Sequence, residues 1–199
     1  LDVLLRKGKF EAATERARAA AEADVGDAVW FRYQSSEDLD TQGEYGGLRV
    51  VFRAGLGEVP REVSRAQIVH LDIGMGDPVT PGPRLLDTPF LLGGGQLHWQ
   101  VYPVETTVAE KLHTLIVRKE ASSRSKDVFD LNVLLPKCEG ANLRAALKET
   151  FRHRGDLLPE GIPRLLKGID RSLLKRGWKS AVVDVAGQAG FDEVFDAVI

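Results

Sequence analysis

Ala66-Gln67-Ile68-Val69-His70-Leu71-Asp72-Ile73 is the stretch on which the fold turns. Successive side chains of a strand point to opposite faces, so Val69, Leu71 and Ile73 share one face while Ile68, His70 and Asp72 share the other. The first face is wholly apolar and suits a core. The second projects an acid, Asp72, in the company of a second polar group, His70.

Working outward toward the N-terminus, Leu48–Phe52 and Ala28–Tyr33 are rich in β-branched and aromatic residues and read as further strands. Gly43, Gly46, Gly47, Gly55 and Gly57 separate them. Phe10–Ala23 is alanine-rich and predicts a helix stopped by Gly26. Its stripe of Phe10, Ala13, Ala17, Ala20 and Ala21 is slim enough to pack closely on a sheet. Leu1–Leu5 reads as a short strand carrying one acid, Asp2, with Gly8 following as punctuation. The chain opens inside that strand without an initiator methionine, which leads to the expectation that a further N-terminal piece precedes it.

Toward the C-terminus, Gly74–Gly95 reads as an irregular connection apart from the apolar Pro89–Leu92, and Gln96–Val101 as another strand. Gly93, Gly94 and Gly95 fit either a flexible loop or a simple turn. A helix is expected from Thr106 or Thr107 to about Lys119, burying Val108, Leu112, Leu115 and Ile116. A polar loop, Ser122–Ser125, leads to a second helix over Lys126–Leu135, with Val128, Leu131, Val133, Leu134 and Leu135 as its apolar contacts and Pro136 ending it. From Ala141 to Ile199 the chain is mostly helical, broken by Pro159, Gly161, Pro163 and Gly177. Strands followed by helices predict an α+β fold. The expected organisation is a sheet core over residues 1–103 and a helical region over residues 104–199.

The 199 residues, 43% hydrophobic and 28% charged, allow one large domain or two small ones. A net charge of -2 does not describe a bulk nucleic-acid binder. Between Arg144 and Lys179, however, ten Lys or Arg face four acids, which suits either phosphate backbones or the solvated faces of two helices. The single cysteine, Cys138, excludes an internal disulfide and a thiolate cluster, fits a reducing cytosol, and reads as a small hydrophobe. No apolar run approaches the ~20 residues of a membrane span and no signal peptide is visible, so a cytoplasmic protein without a membrane partner is expected.

Three groups of residues could carry chemistry, and each alone also has an ordinary account. Asp2 and Asp72 are strand acids among apolar neighbours, costly to bury unless paired or bound to a cation, and two on adjacent strands could hold Mg²⁺. Otherwise Asp2 sits at a frayed end and Asp72 precedes a turn. Lys111, beside Leu112 at the edge of an apolar stripe, could neutralise a triphosphate, or could be a surface lysine paired with Glu105 or Glu110. Asp127 and Asp130 in Arg124-Ser125-Lys126-Asp127-Val128-Phe129-Asp130-Leu131 lie on one face of a first helical turn. There they complement the helix dipole or pair with Arg124 or Lys126.

In combination the three groups say more. The order of a strand acid, a second in His70-Leu71-Asp72-Ile73-Gly74-Met75-Gly76-Asp77, then Tyr102-Pro103-Val104-Glu105-Thr106-Thr107-Val108-Ala109-Glu110-Lys111-Leu112, then Arg124 to Leu131, closely resembles the AbiEii/AbiGii toxin-like nucleotidyltransferase family. The resemblance spans nearly the whole chain, and its most specific parts are Pro103 to Leu112 and Arg124 to Leu131. It implies a polymerase-β-type fold, a mixed sheet flanked by helices with a mostly helical C-terminal half that completes the active site. It also implies Mg²⁺ or Mn²⁺ on Asp2 and Asp72, with Lys111, Arg124 and Lys126 toward the phosphates of an NTP, and Asp127 with Asp130 toward an attacking hydroxyl. The family's first motif is a Gly-Ser or Gly-Gly turn followed by Asp-x-Asp; Asp2 resembles its second aspartate, and the sequence departs from the pattern in starting after the first. Members act as toxins countered by an antitoxin protein, and some modify tRNA 3′ ends. The unremarkable net charge leaves a protein or small-molecule acceptor open, and the lack of a complete first motif leaves open a non-catalytic regulatory protein that keeps the fold.

Overall fold

The computed structural model describes residues 2–5, 9–39, 46–90, 94–118, 124–185, 187 and 189–199. Gly8, Gly43, Gly93, Lys119 and residues 122–123, which figure in the sequence reading, lie outside the described residues, as does the side chain of Asp2. The chain falls into two compact units, Leu1–Asp77 and Pro78–Ile199.

The first unit runs β1 (Asp2–Leu5), α1 (Phe10–Ala21), β2 (Val29–Leu39), β3 (Gly47–Leu56) and β4 (Gln67–Met75). Its four strands form a mixed sheet in the order β1-β4-β3-β2, with β1 parallel to β4 and the other neighbours antiparallel. One face is the core predicted from the alternation. Leu48, Val50, Phe52 and Ile73 are buried there with Ala13 of α1, and Val69 and Leu71 pack against them. The alanines of α1 carry no bulk, which lets the helix lie close to the sheet. Phe31 and Tyr33 of β2 meet Phe52 edge-on, at ring distances of 6.2 and 6.3 Å. Register pairs Arg49 with Asp72, Val51 with His70 and Arg53 with Ile68, residues that alternate with the core positions and so belong to the opposite face.

At one end of this sheet the indole of Trp30 lies against the backbone of Gly55. A Cβ on residue 55 would sit 2.5 Å from Cζ2 and 2.8 Å from Cε2 of that ring. Gly55→Ala therefore displaces the indole, and we expect a loss of about 1–3 kcal/mol, the usual cost of overpacking. It is read as a lower urea midpoint at unchanged slope.

The second unit begins with an antiparallel hairpin, β5 (Arg84–Pro89) and β6 (Gln96–Val101). The Phe90 N–H donates to the Gly95 carbonyl at 3.1 Å, and Gly94 takes φ +89°. Helices α2 (Val104–Arg118), α3 (Ser125–Leu134), α4 (Gly140–His153), α5 (Ile162–Lys167), α6 (Arg171–Arg176), α7 (Trp178–Ala181) and α8 (Phe191–Val198) follow. Helix α2 starts two residues before the expected Thr106, because the Pro103 carbonyl accepts from the N–H groups of Thr106 and Thr107 and closes a first turn there. The stripe of Val108, Leu112, Leu115 and Ile116 is buried as expected, against Val128 and Leu131 of α3 and Ala146, Leu147 and Phe151 of α4. Trp178, Phe191 and Phe195 close the other side of this core, with successive ring centroids 5.5 Å apart. Val133, expected among the apolar contacts of α3, is instead 38% exposed, since Leu134 and Leu135 pack on the core in its place. Cys138 is half-buried against the same core, and its thiol pKa is raised by burial and by the negative charge of Glu105. Among the described residues no helix is long and apolar enough to cross a membrane.

Candidate active site

The centre of the second unit's polar chemistry is Lys111. Its neighbours Leu112 and Ala109 are core residues, so α2 carries the lysine at the rim of the packed stripe and half-buries it. The ammonium donates to Asp127 Oδ1 at 2.7 Å and lies 2.8 Å from Asp130 Oδ2. Spacing of three residues on α3 brings both carboxylates to one side of that helix. Arg124 Nη1 reaches the other oxygen of Asp127 at a longer 3.4 Å. The start of α3 is itself pinned, since the buried Ser125 hydroxyl donates to the Leu174 carbonyl of α6. Lys126 is exposed on the same first turn.

Burial is the largest single influence on the Lys111 pKa and acts to lower it. The hydrogen bonds and charges of Asp127 and Asp130 together outweigh burial, and the net shift is upward. Lys111 is therefore a fixed cation throughout the neutral range. Neither glutamate offered by the sequence as its partner is needed for this.

Glu105, only 1% exposed, lies elsewhere and does different work. Arg84 Nη2 of β5 is 3.4 Å from both its oxygens, and the Glu139 N–H donates to Oε1 at 3.2 Å. Next to it the Thr106 hydroxyl donates to the Thr80 carbonyl at 2.8 Å and accepts from the Thr80 N–H at 3.0 Å. These bonds tie the start of α2 to the hairpin, to the preceding connection and to the start of α4. Two residues beyond Lys111, the buried His113 is bonded on both ring nitrogens. Arg154 Nη1 donates to Nδ1 at 3.1 Å, so Nε2 carries the proton and donates to Asp156 at 2.7 Å. Helix α2 is thus fixed at its start and past its middle. None of these anchors is visible as a sequence pattern: the partners are 21 to 43 residues apart.

In the first unit Arg49 grips Asp72 bidentately, Nε to Oδ1 and Nη2 to Oδ2, both at 2.7 Å. The Arg49 hydrogen bond is the main cause of a lowered Asp72 pKa, against burial, which acts to raise it. A carboxyl pKa lowered by folding stabilises the native state above the unfolded value, near 3.9, and that contribution disappears as pH falls through the folded value. We expect Asp72→Asn to lower the urea midpoint at pH 6–7, and the difference from the wild type to shrink as pH falls below the unfolded carboxyl value. A stability difference that grew on acidification would contradict the pairing.

Register sets Asp2 of β1 directly beside Asp72 of β4. A carboxylate offers about four acceptor directions, of which Arg49 takes two at Asp72. The acceptor directions left at Asp72, on a strand whose neighbour carries another acid, fit a hard divalent cation that seeks oxygen ligands. Among the described residues no group of three or more His, Cys, Asp or Glu is arranged around a common metal position. Of the residues singled out from the sequence, Lys111, Arg124, Asp127 and Asp130 come together in the second unit, while Lys126 is exposed on the first turn of α3. Asp2 and Asp72 are neighbours in the first.

In the first unit two acids stand side by side on neighbouring strands of a mixed sheet, and in the second a lysine lies between two aspartates. The chain belongs to the AbiEii family, whose model, described as "Nucleotidyl transferase AbiEii toxin, Type IV TA system", matches residues 1–197. It is accordingly an enzyme of the nucleotidyl transferase kind, from a family of toxins of type IV toxin–antitoxin systems. No curated protein and no solved structure matches the chain.

Proposed function

We propose that the chain transfers a nucleoside monophosphate from an NTP to RNA, such as a tRNA 3′ end, as a cytoplasmic toxin restrained by a cognate antitoxin protein. The observation that carries this reading is the half-buried Lys111 ammonium bridging Asp127 and Asp130. It resembles a resting pair that an arriving triphosphate exchanges: the ammonium turns to phosphate oxygens, and Asp127 is released to orient the attacking hydroxyl and take its proton. The hydroxyl oxygen bonds to the α-phosphorus, the bond to the β-phosphate bridging oxygen breaks, and pyrophosphate leaves. Asp130 supports Asp127, while Arg124 and Lys126 add positive charge for the phosphates. Asp2 and Asp72 would hold Mg²⁺ or Mn²⁺, which when bound neutralises charge on the phosphate oxygens.

Incubation with α-labelled NTPs, Mg²⁺ and total tRNA tests the proposal. Label is expected on RNA and is expected to vanish with Lys111→Ala; no transfer from any of the four nucleotides would overturn it. A second reading, with a protein or small molecule as acceptor, draws support from the basic C-terminal stretch. There Arg152 pairs with Glu149 at 2.7 Å, Arg171 with Asp196 at 2.8 Å, and Lys175 with Asp192, which offsets part of the charge available to RNA. Label on a protein band or a metabolite would select that reading.

A further inference from the structure

The sheet face that carries Asp72 holds a second set of charges that the proposed chemistry does not use. Arg32 of β2 and Arg53 of β3 stand directly opposite each other in register. Like charges so placed in an antiparallel pair destabilise it; the Glu22 carboxylate, whose pKa the charge of Arg32 helps to lower, offsets part of this on the Arg32 side, and an anion bound between the two would offset the rest. The Arg53 guanidinium is held by neutral acceptors: Nε donates to Gln34 Oε1 at 2.7 Å and Nη1 to the Ala66 carbonyl at 2.9 Å. Among the described residues it has no carboxylate within ion-pair distance. It is thus pointed and fixed without being neutralised, and two of its five N–H donors are engaged. Arg32 is exposed. Trp30, paired with Gly55 two register positions along the same strands and so on the same face, adds a half-buried aromatic ring that lies against Gly55. Along β3, Arg53 is four residues from Arg49, the partner of Asp72, or about 13 Å at the rise of a strand.

We propose that Arg32 and Arg53 form a phosphate-binding step for single-stranded RNA on the open face of the sheet, holding the acceptor strand as it leads toward the strand acids. Paired guanidiniums with a neighbouring aromatic are the combination that tracks a single-stranded backbone without reading its sequence. This inference rests on RNA being the acceptor.

Binding of the full chain to a fluorescent oligouridine and a fluorescent oligoadenosine, without NTP, tests it separately from catalysis. Each phosphate contact contributes about 0.7 to the salt slope on single strands, so Arg32→Gln with Arg53→Gln should flatten log K against log salt by roughly 1.4. Affinity for both oligonucleotides should fall at least about tenfold, the low end for bonds to charged groups. Arg16→Gln, an exposed change on α1 at the opposite face, should bind like the wild type. Unchanged affinity and slope in the folded double variant would overturn the inference, even with label transfer to RNA intact. Loss of NTP affinity with RNA affinity intact would also overturn it, assigning the arginines to the nucleotide instead. Label transfer to protein alone would remove the function on which it rests.

Discussion

Lys111→Ala is expected to lower nucleotidyl transfer on the order of a thousandfold, equivalent to about 4 kcal/mol of transition-state stabilisation. The variant removes the ammonium that spans Asp127 and Asp130 at 2.7 and 2.8 Å, and leaves two carboxylates at the position where the proposed reaction brings phosphates. Charge repulsion then adds to the loss of attraction. Stability falls as well, though less. Breaking a fully buried pair costs about 3–5 kcal/mol, but these groups retain partial solvent access, and about 1–2 kcal/mol is the expected effect. The two effects separate in one experiment: turnover measured well below the urea midpoint keeps the variant folded while the rate deficit persists. Lys111→Arg restores the charge with a planar fork instead of a compact ammonium, and should recover stability more than rate. Because folding raises the lysine pKa, its contribution to stability is complete below the unfolded value near 10.4 and is lost only as pH rises through the folded value. The activity profile between pH 6 and 9 should accordingly show no limb from Lys111. An alanine variant within twofold of wild-type turnover would make the Lys111–Asp127–Asp130 cluster purely structural.

How much of this was legible beforehand depends on whether burial enforced a pattern. The alternation in β4 put Val69, Leu71 and Ile73 inside because one sheet face is covered by α1, and the stripe of α2 was readable for the same reason. Strand β5 falls within the stretch that the sequence predicts to be an irregular connection, because Arg84-Leu85-Leu86-Asp87-Thr88-Pro89 is exposed at nearly every position; main-chain pairing with β6 makes it a strand, and that leaves no period in the sequence. The end of β2, Ser35 to Leu39, likewise lies beyond the strand that the sequence predicts over Ala28–Tyr33. Its residues are mostly exposed, and a register shift between Tyr33 and Ser35 breaks the phase that alternation relies on. At the site, Asp127 and Asp130 were legible as a spacing of three, and Lys111 as a lysine beside a buried stripe. The bonds that hold α2 in place, Glu105 to Arg84 and His113 to Asp156, join distant residues through tertiary packing. Local reading treated Glu105 as a surface option for Lys111, and only the fold reveals it as a buried tether.

Phe151→Ala is expected to cost about 3–5 kcal/mol, the largest stability effect of any single change considered, and a large share of a typical total of 5–15 kcal/mol. Phe151 is 1% exposed on α4 and belongs to the core that also contains the buried stripe of α2. Its ring meets the His113 imidazole edge-on at 4.7 Å. Truncation opens a cavity on that side, and the imidazole that leans on the ring loses a wall while keeping its polar bonds to Asp156 and Arg154. Those bonds restrain His113 from moving in to fill the space, which places the cost toward the upper part of the range. Phe151→Leu retains most of the volume and should cost markedly less. Far-UV circular dichroism in urea is the appropriate readout, because α2 to α8 all lie in the Pro78–Ile199 unit and dominate the helical signal. The midpoint should fall with the slope unchanged. A loss below about 1 kcal/mol would mean that α4 collapses onto α2 without strain, contrary to the close packing of this core. The catalytic consequence is then specific. Below the unfolding transition the alanine variant should keep most of its turnover, since the Lys111 ammonium is held by α3. A proportionate loss of turnover in the still-folded variant would show instead that α4 positions the lysine through α2.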